Sequence, residues 1–215
     1  DATALRIGAM ATHAAIADSP VLAALLPDLP PLWHSVANPR VRFAGTLGGN
    51  VMAGNADYDG LPALLALGAQ AELESADCSA CVPLAELPQD GAALLTGFVI
   101  VAPGTLRLFA DRSLRPALSV WLGLTVQADR VTAVRVAVGM AHPVPPCVTL
   151  ATDVRLAELG AAAADLAAAV LDALPPPQAD GRAGAAYRRR MAGVLTRRML
   201  IRAGGQEGVT SNAVS

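Results

Sequence analysis

The chain has 215 residues, 53% of them hydrophobic, 3% aromatic and 16% charged, with a formal net charge of −2. That much apolar content excludes a disordered chain, and the near-zero charge excludes a whole-molecule basic field for nucleic acid or an anionic membrane. No segment reaches the roughly 18–20 uninterrupted apolar residues of a spanning helix: the best stretch, 156–174, is broken by Glu158, Asp165 and Asp172. The opening Asp-Ala-Thr-Ala-Leu-Arg has neither the basic start nor the apolar core of a signal peptide, so a cytoplasmic protein is expected.

Residues 5–9 read as a strand, and Thr12 caps a helix running to about Asp18. Pro27, Pro30 and Pro31 break the chain before a short helix over 32–37. From Val41 to Gly54 small residues without periodicity predict loop and short strand. A buried helix follows over 61–67, with Pro62 near its start. Residues 71–75 and 94–102 read as strands on either side of a loop. Past Pro103-Gly104 the pattern changes to a three-stranded antiparallel meander within 106–140, whose second and third strands (118–127 and 131–138) turn at Ala128-Asp129-Arg130. Helices are predicted over 152–159, 161–174 and 184–203, with three prolines (175–177) between the last two. The reading is α+β, with domains 1–104 and 105–203 and a frayed tail, 204–215.

The most informative stretch is Gly45-Thr46-Leu47-Gly48-Gly49-Asn50. Paired glycines can take positive φ and let successive backbone N–H groups converge on an anion. Thr46 adds a hydroxyl and Asn50 an amide, and Asp59, nine residues on, adds a carboxylate of the kind that accepts from ribose hydroxyls. The motif is neither a dinucleotide-binding G-x-G-x-x-G nor a P-loop, and by itself a tight turn remains open.

Other candidates have plain alternatives. Cys78-Ser79-Ala80-Cys81 has metal-pair spacing, but a closed zinc site needs four ligands and the third cysteine, Cys147, is remote; two loop thiols suffice. Three cysteines cannot hold a four-cysteine iron–sulfur cluster, so any such cluster belongs to a partner. His13 and His34 titrate near neutrality but have no nucleophile beside them; they read as helix-face histidines. Seven of the sixteen arginines lie between Arg182 and Arg202. They form an amphipathic basic helix, either a solvated or subunit-contact face or a nucleic-acid surface; no interleaved aromatics favour the latter. Trp33 and Trp121 read as core.

Taken in order, Ile7-Gly8-Ala9, Ala11-Thr12-His13-Ala14, Arg42, the Thr-Leu-Gly-Gly-Asn block, and Asp59 followed by 62–69 resemble the flavoprotein (medium) subunit of the molybdenum hydroxylases, the xanthine dehydrogenase and carbon monoxide dehydrogenase group. Leu94-Leu95-Thr96-Gly97 and the helix 186–198 are similar to the same family. The resemblance implies the second half of a PCMH-type FAD-binding domain, followed by a C-terminal three-stranded antiparallel sheet with a helical bundle. It implies FAD as cofactor, an electron-transfer role, and iron–sulfur (2Fe-2S) and molybdopterin subunits as partners. It further implies that Thr46, Gly48, Gly49 and Asn50 bind the FAD pyrophosphate, that Leu47 lies near the flavin, that Asp59 binds the adenosine ribose and that Leu94 contacts the cofactor; it names no catalytic acid or base. The sequence departs from the family at Phe43 (usually Asn), Arg40 (often Gln) and Ala110 (where xanthine-oxidising members carry a cofactor-contacting lysine). It also lacks the first lobe's Ala-Gly-Gly-Thr motif, so a flavin-free scaffold subunit is the competing expectation.

Overall fold

The computed structural model describes residues 3–88, 93–112 and 117–205. Two four-stranded antiparallel sheets carry the architecture. The first has the order β1-β4-β2-β3, from β1 (Ala4–Gly8), β2 (Gln70–Glu74), β3 (Ser79–Pro83) and β4 (Leu94–Val101). The second is a meander, β5 (Leu106–Asp111), β6 (Ser119–Gln127), β7 (Arg130–Gly139) and β8 (Cys147–Arg155). Between β1 and β2 run six short helices: α1 (His13–Ala17), α2 (Pro20–Leu25), α3 (Leu29–His34), α4 (Pro39–Ala44), α5 (Leu47–Met52) and α6 (Gly60–Ala66). Two longer ones, α7 (Leu159–Ala173) and α8 (Ala185–Gly204), follow the second sheet.

Thr12 caps α1 as expected, its hydroxyl accepting from the Ala15 N–H at 3.1 Å. The β6–β7 turn has Ala128 and Asp129 at φ 45° and 67°, the left-handed pair that matches a two-residue hairpin to strand twist. Several expectations are corrected. Pro30 and Pro31 lie inside the first turn of α3 rather than ahead of it, because first-turn residues have no N–H to give up. The 41–54 stretch forms α4 and α5, with only one isolated bridge, Thr12 to Thr46, of the expected strand. The expected loop between β2 and β4 holds a further strand, β3, at the sheet's edge. The second sheet has four strands instead of three. The segment expected to start a helix at 152 is instead the end of β8, where alternation from Val148 to Val154 pairs with β7; a single 3-10 turn over Leu156–Glu158 then leads into α7. The tail expected to fray lies outside the described residues beyond Gly205, which caps α8.

One apolar core packs the first sheet and the short helices, and it takes in Leu106, Leu108, Trp121 and Ala137 from the second sheet. A second core lies between that sheet and α7–α8, around Leu122, Leu124, Val134, Val136, Val170 and Leu200. The two halves touch closely at α6. A Cβ on Gly123 of β6 would stand 1.8 Å from the Ala66 carbonyl oxygen, so only glycine lets the end of α6 rest on the sheet. Among the described residues no helix is long and apolar enough to cross a membrane.

Candidate functional site

A cleft of about 460 Å³ opens between α1, α4, α5, the loop before α6 and the end of β5. His13, Val36, Ala37, Thr46, Gly49, Asn50, Tyr58, Asp59 and Arg112 are among the residues that line it. The local sequence explains how they meet. Thr46 caps α5 by accepting from the Gly49 N–H at 3.2 Å. Leu47 and Val51, four apart on that helix, are both buried and anchor it. The segment entering α5 is laced to the chain after β1: His13 N–H donates to the Gly45 carbonyl at 3.0 Å, Leu47 N–H to Ala11 at 2.9 Å and Gly48 N–H to Ala9 at 2.8 Å.

This lacing corrects the picture of a phosphate nest. Neither Gly48 nor Gly49 has positive φ; both are helical. The Gly48 N–H is spent on Ala9 and the Gly49 N–H on the cap, so these two do not converge on the cleft. Gly48 is required for a close approach, since its Cβ would lie 2.7 Å from Ala9 Cβ and 3.0 Å from Ala9 O. Gly49 has a different neighbourhood. It lines the cleft, and a Cβ there would meet only Thr46 Oγ1, at 3.0 Å. Asn50 Oδ1 accepts from the Gly60 N–H at 3.0 Å, fixing the start of α6 and leaving the amide NH₂ to donate.

Asp59 caps α6 through its backbone, while its side chain is buried, only 3% exposed overall. Oδ2 pairs with Arg112 Nη2 at 3.3 Å; Oδ1 has no hydrogen-bond partner among the described residues. Burial raises the pKa of Asp59, and the Arg112 charge opposes that rise. The Trp121 indole N–H stands near enough to ease the carboxylate's charge but lacks hydrogen-bond geometry. Beneath the cleft Trp121 meets Trp33 edge-on, ring centroids 6.5 Å apart, and Trp33 Nε1–H donates to His13 Nδ1 at 3.2 Å. His13 is therefore the Nε2-protonated tautomer, and burial lowers its pKa. One wall is held by Arg42, whose Nη1 donates to the Val36 and Ala37 carbonyls at 2.9 and 3.0 Å, across an Ala37 with φ 51°.

Of the residues singled out from sequence, the fold brings Thr46, Gly49, Asn50 and Asp59 together in the cleft. Leu47 and Gly48 are buried behind it. Leu94 lies at the start of β4, 70% exposed and outside the cleft lining. Arg112, Tyr58 and the Val36–Ala37 wall were not singled out. Elsewhere, Cys78, Cys81 and Cys147 are free thiols, Cys81 on β3 rather than in a loop. Burial pushes the Cys147 thiol up to about 11, which keeps it protonated and unreactive. In the basic helix Arg188 is not on a solvated face: it is 2% exposed and pairs with Asp180 at 2.6 Å.

A cleft with a few convergent polar groups and, among the described residues, one buried carboxylate oxygen without a hydrogen-bond partner has the character of a small-molecule site. The FAD binding domain in molybdopterin dehydrogenase matches residues 1–101, and the CO dehydrogenase flavoprotein C-terminal domain matches residues 116–203. The carbon monoxide dehydrogenase medium chain of Afipia carboxidovorans is 31% identical over 218 residues, covering 94% of this chain and 75% of that one. The solved structure of the cyanide-inactivated Cu,Mo-CO dehydrogenase superposes with a TM-score of 0.76 at 28% identity, over 95% of this chain and 76% of its own. Quinoline 2-oxidoreductase from Pseudomonas putida 86 shares the fold, with a TM-score of 0.76 at 24% identity over 95% of this chain and 76% of that one. The chain belongs to the FAD-binding medium subunits of the molybdenum hydroxylases of the carbon monoxide dehydrogenase type, a family of oxidoreductase subunits.

The residues present suit FAD. A buried acceptor without a partner, Asp59 Oδ1, is what a ribose hydroxyl satisfies, and the bare Cα of Gly49 keeps one side of the cleft open to close approach.

Proposed function

We propose that this chain is the electron-transfer subunit of a molybdenum hydroxylase complex in the cytoplasm. It would hold FAD, take electrons from iron–sulfur clusters on one partner subunit and pass them to an external acceptor, while substrate is oxidised at a molybdopterin centre on another partner. The observation that carries this reading is the cleft's unpartnered Asp59 oxygen beside Thr46, Gly49 and Asn50. In this proposal residues 1–104 form the cofactor lobe and residues 105–203 the lobe that backs it. Thr46 and Asn50 present a hydroxyl and an amide to the pyrophosphate, and Asp59 receives the adenosine ribose. Gly48 and Leu47 keep the loop seated, and Leu94 contributes from the first sheet. When bound, FAD supplies the redox chemistry, its ring accepting electrons singly and releasing them in pairs. The chain's own share is to bind and orient the cofactor.

The test is the visible absorption spectrum of the protein isolated from its source cells with whatever co-purifies. Flavin bands together with iron–sulfur absorbance, and FAD released on denaturation, are expected. A preparation containing the partners but releasing no flavin would overturn the proposal in favour of a scaffold role.

A further inference from the structure

Burying a carboxylate disfavours its charged form, so Asp59 needs a compensating group. Among the described residues, the charged and titratable groups around it come from three places. Asp57 and Tyr58 are in its own loop, His13 is on α1, and Arg112 lies just past β5. Asp57 is engaged outward, accepting from Arg182 Nη2 at 2.8 Å. His13 gives Nδ1 to Trp33, and burial lowers its pKa. Arg112 is the cation in contact, with its side chain 19% exposed and Nη2 3.3 Å from Oδ2. Its other prong, Nη1, donates to the Ser35 carbonyl at 2.6 Å, next to the Val36–Ala37 wall. Among the described residues its Nε, like Asp59 Oδ1, has no hydrogen-bond partner.

We propose that Arg112 is a positioning residue for the cofactor: by clamping Asp59 Oδ2 it holds Oδ1 toward the cleft as acceptor for the vicinal hydroxyls of a ribose. This rests on the reading of the cleft as an FAD site. It assigns the second lobe a direct part in holding the nucleotide, because Arg112 reaches the cleft from the end of β5. It also gives the guanidinium a structural partner on each side, Ser35 and Asp59, so the clamp and the cleft wall are fastened by one side chain.

The test is FAD titration, read by quenching of flavin fluorescence, on the flavin-depleted full chain in its native assembly between pH 5 and 9. In the wild type, affinity falls on acidification as Asp59 takes up a proton. R112Q should move the acid limb up by about one pH unit, so that on the limb, below both midpoints, it binds FAD about tenfold more weakly than the wild type at the same pH, since one unit corresponds to a factor of ten. R112K should return the limb toward the wild-type position. D59N should abolish the limb in either background, which separates Asp59 from His13. An R112Q limb unmoved from wild type, or an R112K no closer to wild type than R112Q, would overturn the assignment. If R112Q melts as an unfolded chain, R112K decides: a limb displaced by a full unit despite the retained charge overturns it. Absence of FAD affinity in the wild type at every pH is a separate result, and it refutes the cofactor reading itself.

Discussion

Placing a single methyl group at each of the two adjacent glycines should separate fold from binding. At Gly48 the new Cβ would lie 2.7 Å from Ala9 Cβ and 3.0 Å from Ala9 O, against an ordinary carbon–carbon separation of about 3.5–4.0 Å. The neighbour is backbone, pinned by the Gly48 N–H bond to that same carbonyl at 2.8 Å, so it cannot swing away. Overpacking of this kind costs about 1–3 kcal/mol, partly offset by the gain of about 0.5–1 kcal/mol from replacing a helical glycine with alanine. The net for G48A is a loss of about 1–2 kcal/mol, or roughly 5 °C in melting temperature for a chain of this size. At Gly49 the only close atom is the Thr46 hydroxyl oxygen at 3.0 Å, which can shift by a few tenths of an ångström. Helix gain and cap weakening then nearly cancel, and G49A should melt within about 2 °C of wild type, yet bind FAD at least tenfold more weakly because the methyl stands at the cleft. Thermal melts by far-UV circular dichroism and FAD titration measure the two quantities. Equal melting temperatures for the two variants would refute the close-approach account of Gly48. Wild-type FAD affinity in G49A would refute the placement of the cofactor against Gly49.

Other perturbations follow from the same geometry. D180N should lower the denaturation midpoint more than R188M, because the first strands a buried guanidinium with the Gln178 carbonyl as its remaining acceptor, whereas the second leaves Asp180 to solvent and Arg182; urea melts of both would show it, and the reverse order would refute the pairing argument. His13, whose pKa is lowered by burial, takes up its proton at lower pH in the fold than in the unfolded chain, where it does so near 6.5, so stability falls as pH drops below that value. H13N, which keeps an acceptor for Trp33, should therefore show a shallower fall in melting temperature from pH 7 to pH 5, with the residual slope owed in part to His142, also lowered by burial. G123A, with its Cβ driven to 1.8 Å from the Ala66 carbonyl, should cost about 3 kcal/mol or more and depress melting by roughly 6–12 °C; a melt within error of wild type would mean that α6 can lift off the sheet.

What the sequence disclosed depended on whether the signal was local. The β6–β7 hairpin announced itself through alternation and a two-residue turn, and α1 through its threonine cap. α5 was hidden because Gly48-Gly49-Asn50 has poor helix propensity. Its actual signals were the Thr46 cap and the Leu47/Val51 pair, both readable but outweighed by the glycines. β8 was missed altogether: it follows the Pro143–Pro146 break, and its end, Thr152 to Arg155, runs into Leu-Ala-Glu-Leu and borrows that segment's helical look. β3 is a short edge strand, exposed along most of its length and without a period-two apolar pattern. The cleft was legible at Thr46, Asn50 and Asp59, whose residue types name their chemistry. Arg112 was not, because its importance comes from an ion pair to a residue remote in sequence. Ala110 carries no cation, but Arg112, two residues on and so on the same face of an extended chain, does.

The seat of α6 on Gly123, with Trp121 under Asp59 and Leu106 and Leu108 in the first core, bears on how this protein can be taken apart. The turn near Pro103 looks like a seam, and a cut there would leave a tidy sheet with six helices. That piece would carry a wound, since Leu106, Leu108, Trp121 and Ala137 of its core and Arg112 of its cleft lie on the part discarded. A grafted cofactor lobe from a relative would likewise meet the wrong surface unless the faces of β5, β6 and β7 travelled with it. The unit that can be exchanged between such proteins is larger than either sheet, and its boundary runs through the second sheet, between the side facing α6 and the side facing α7 and α8.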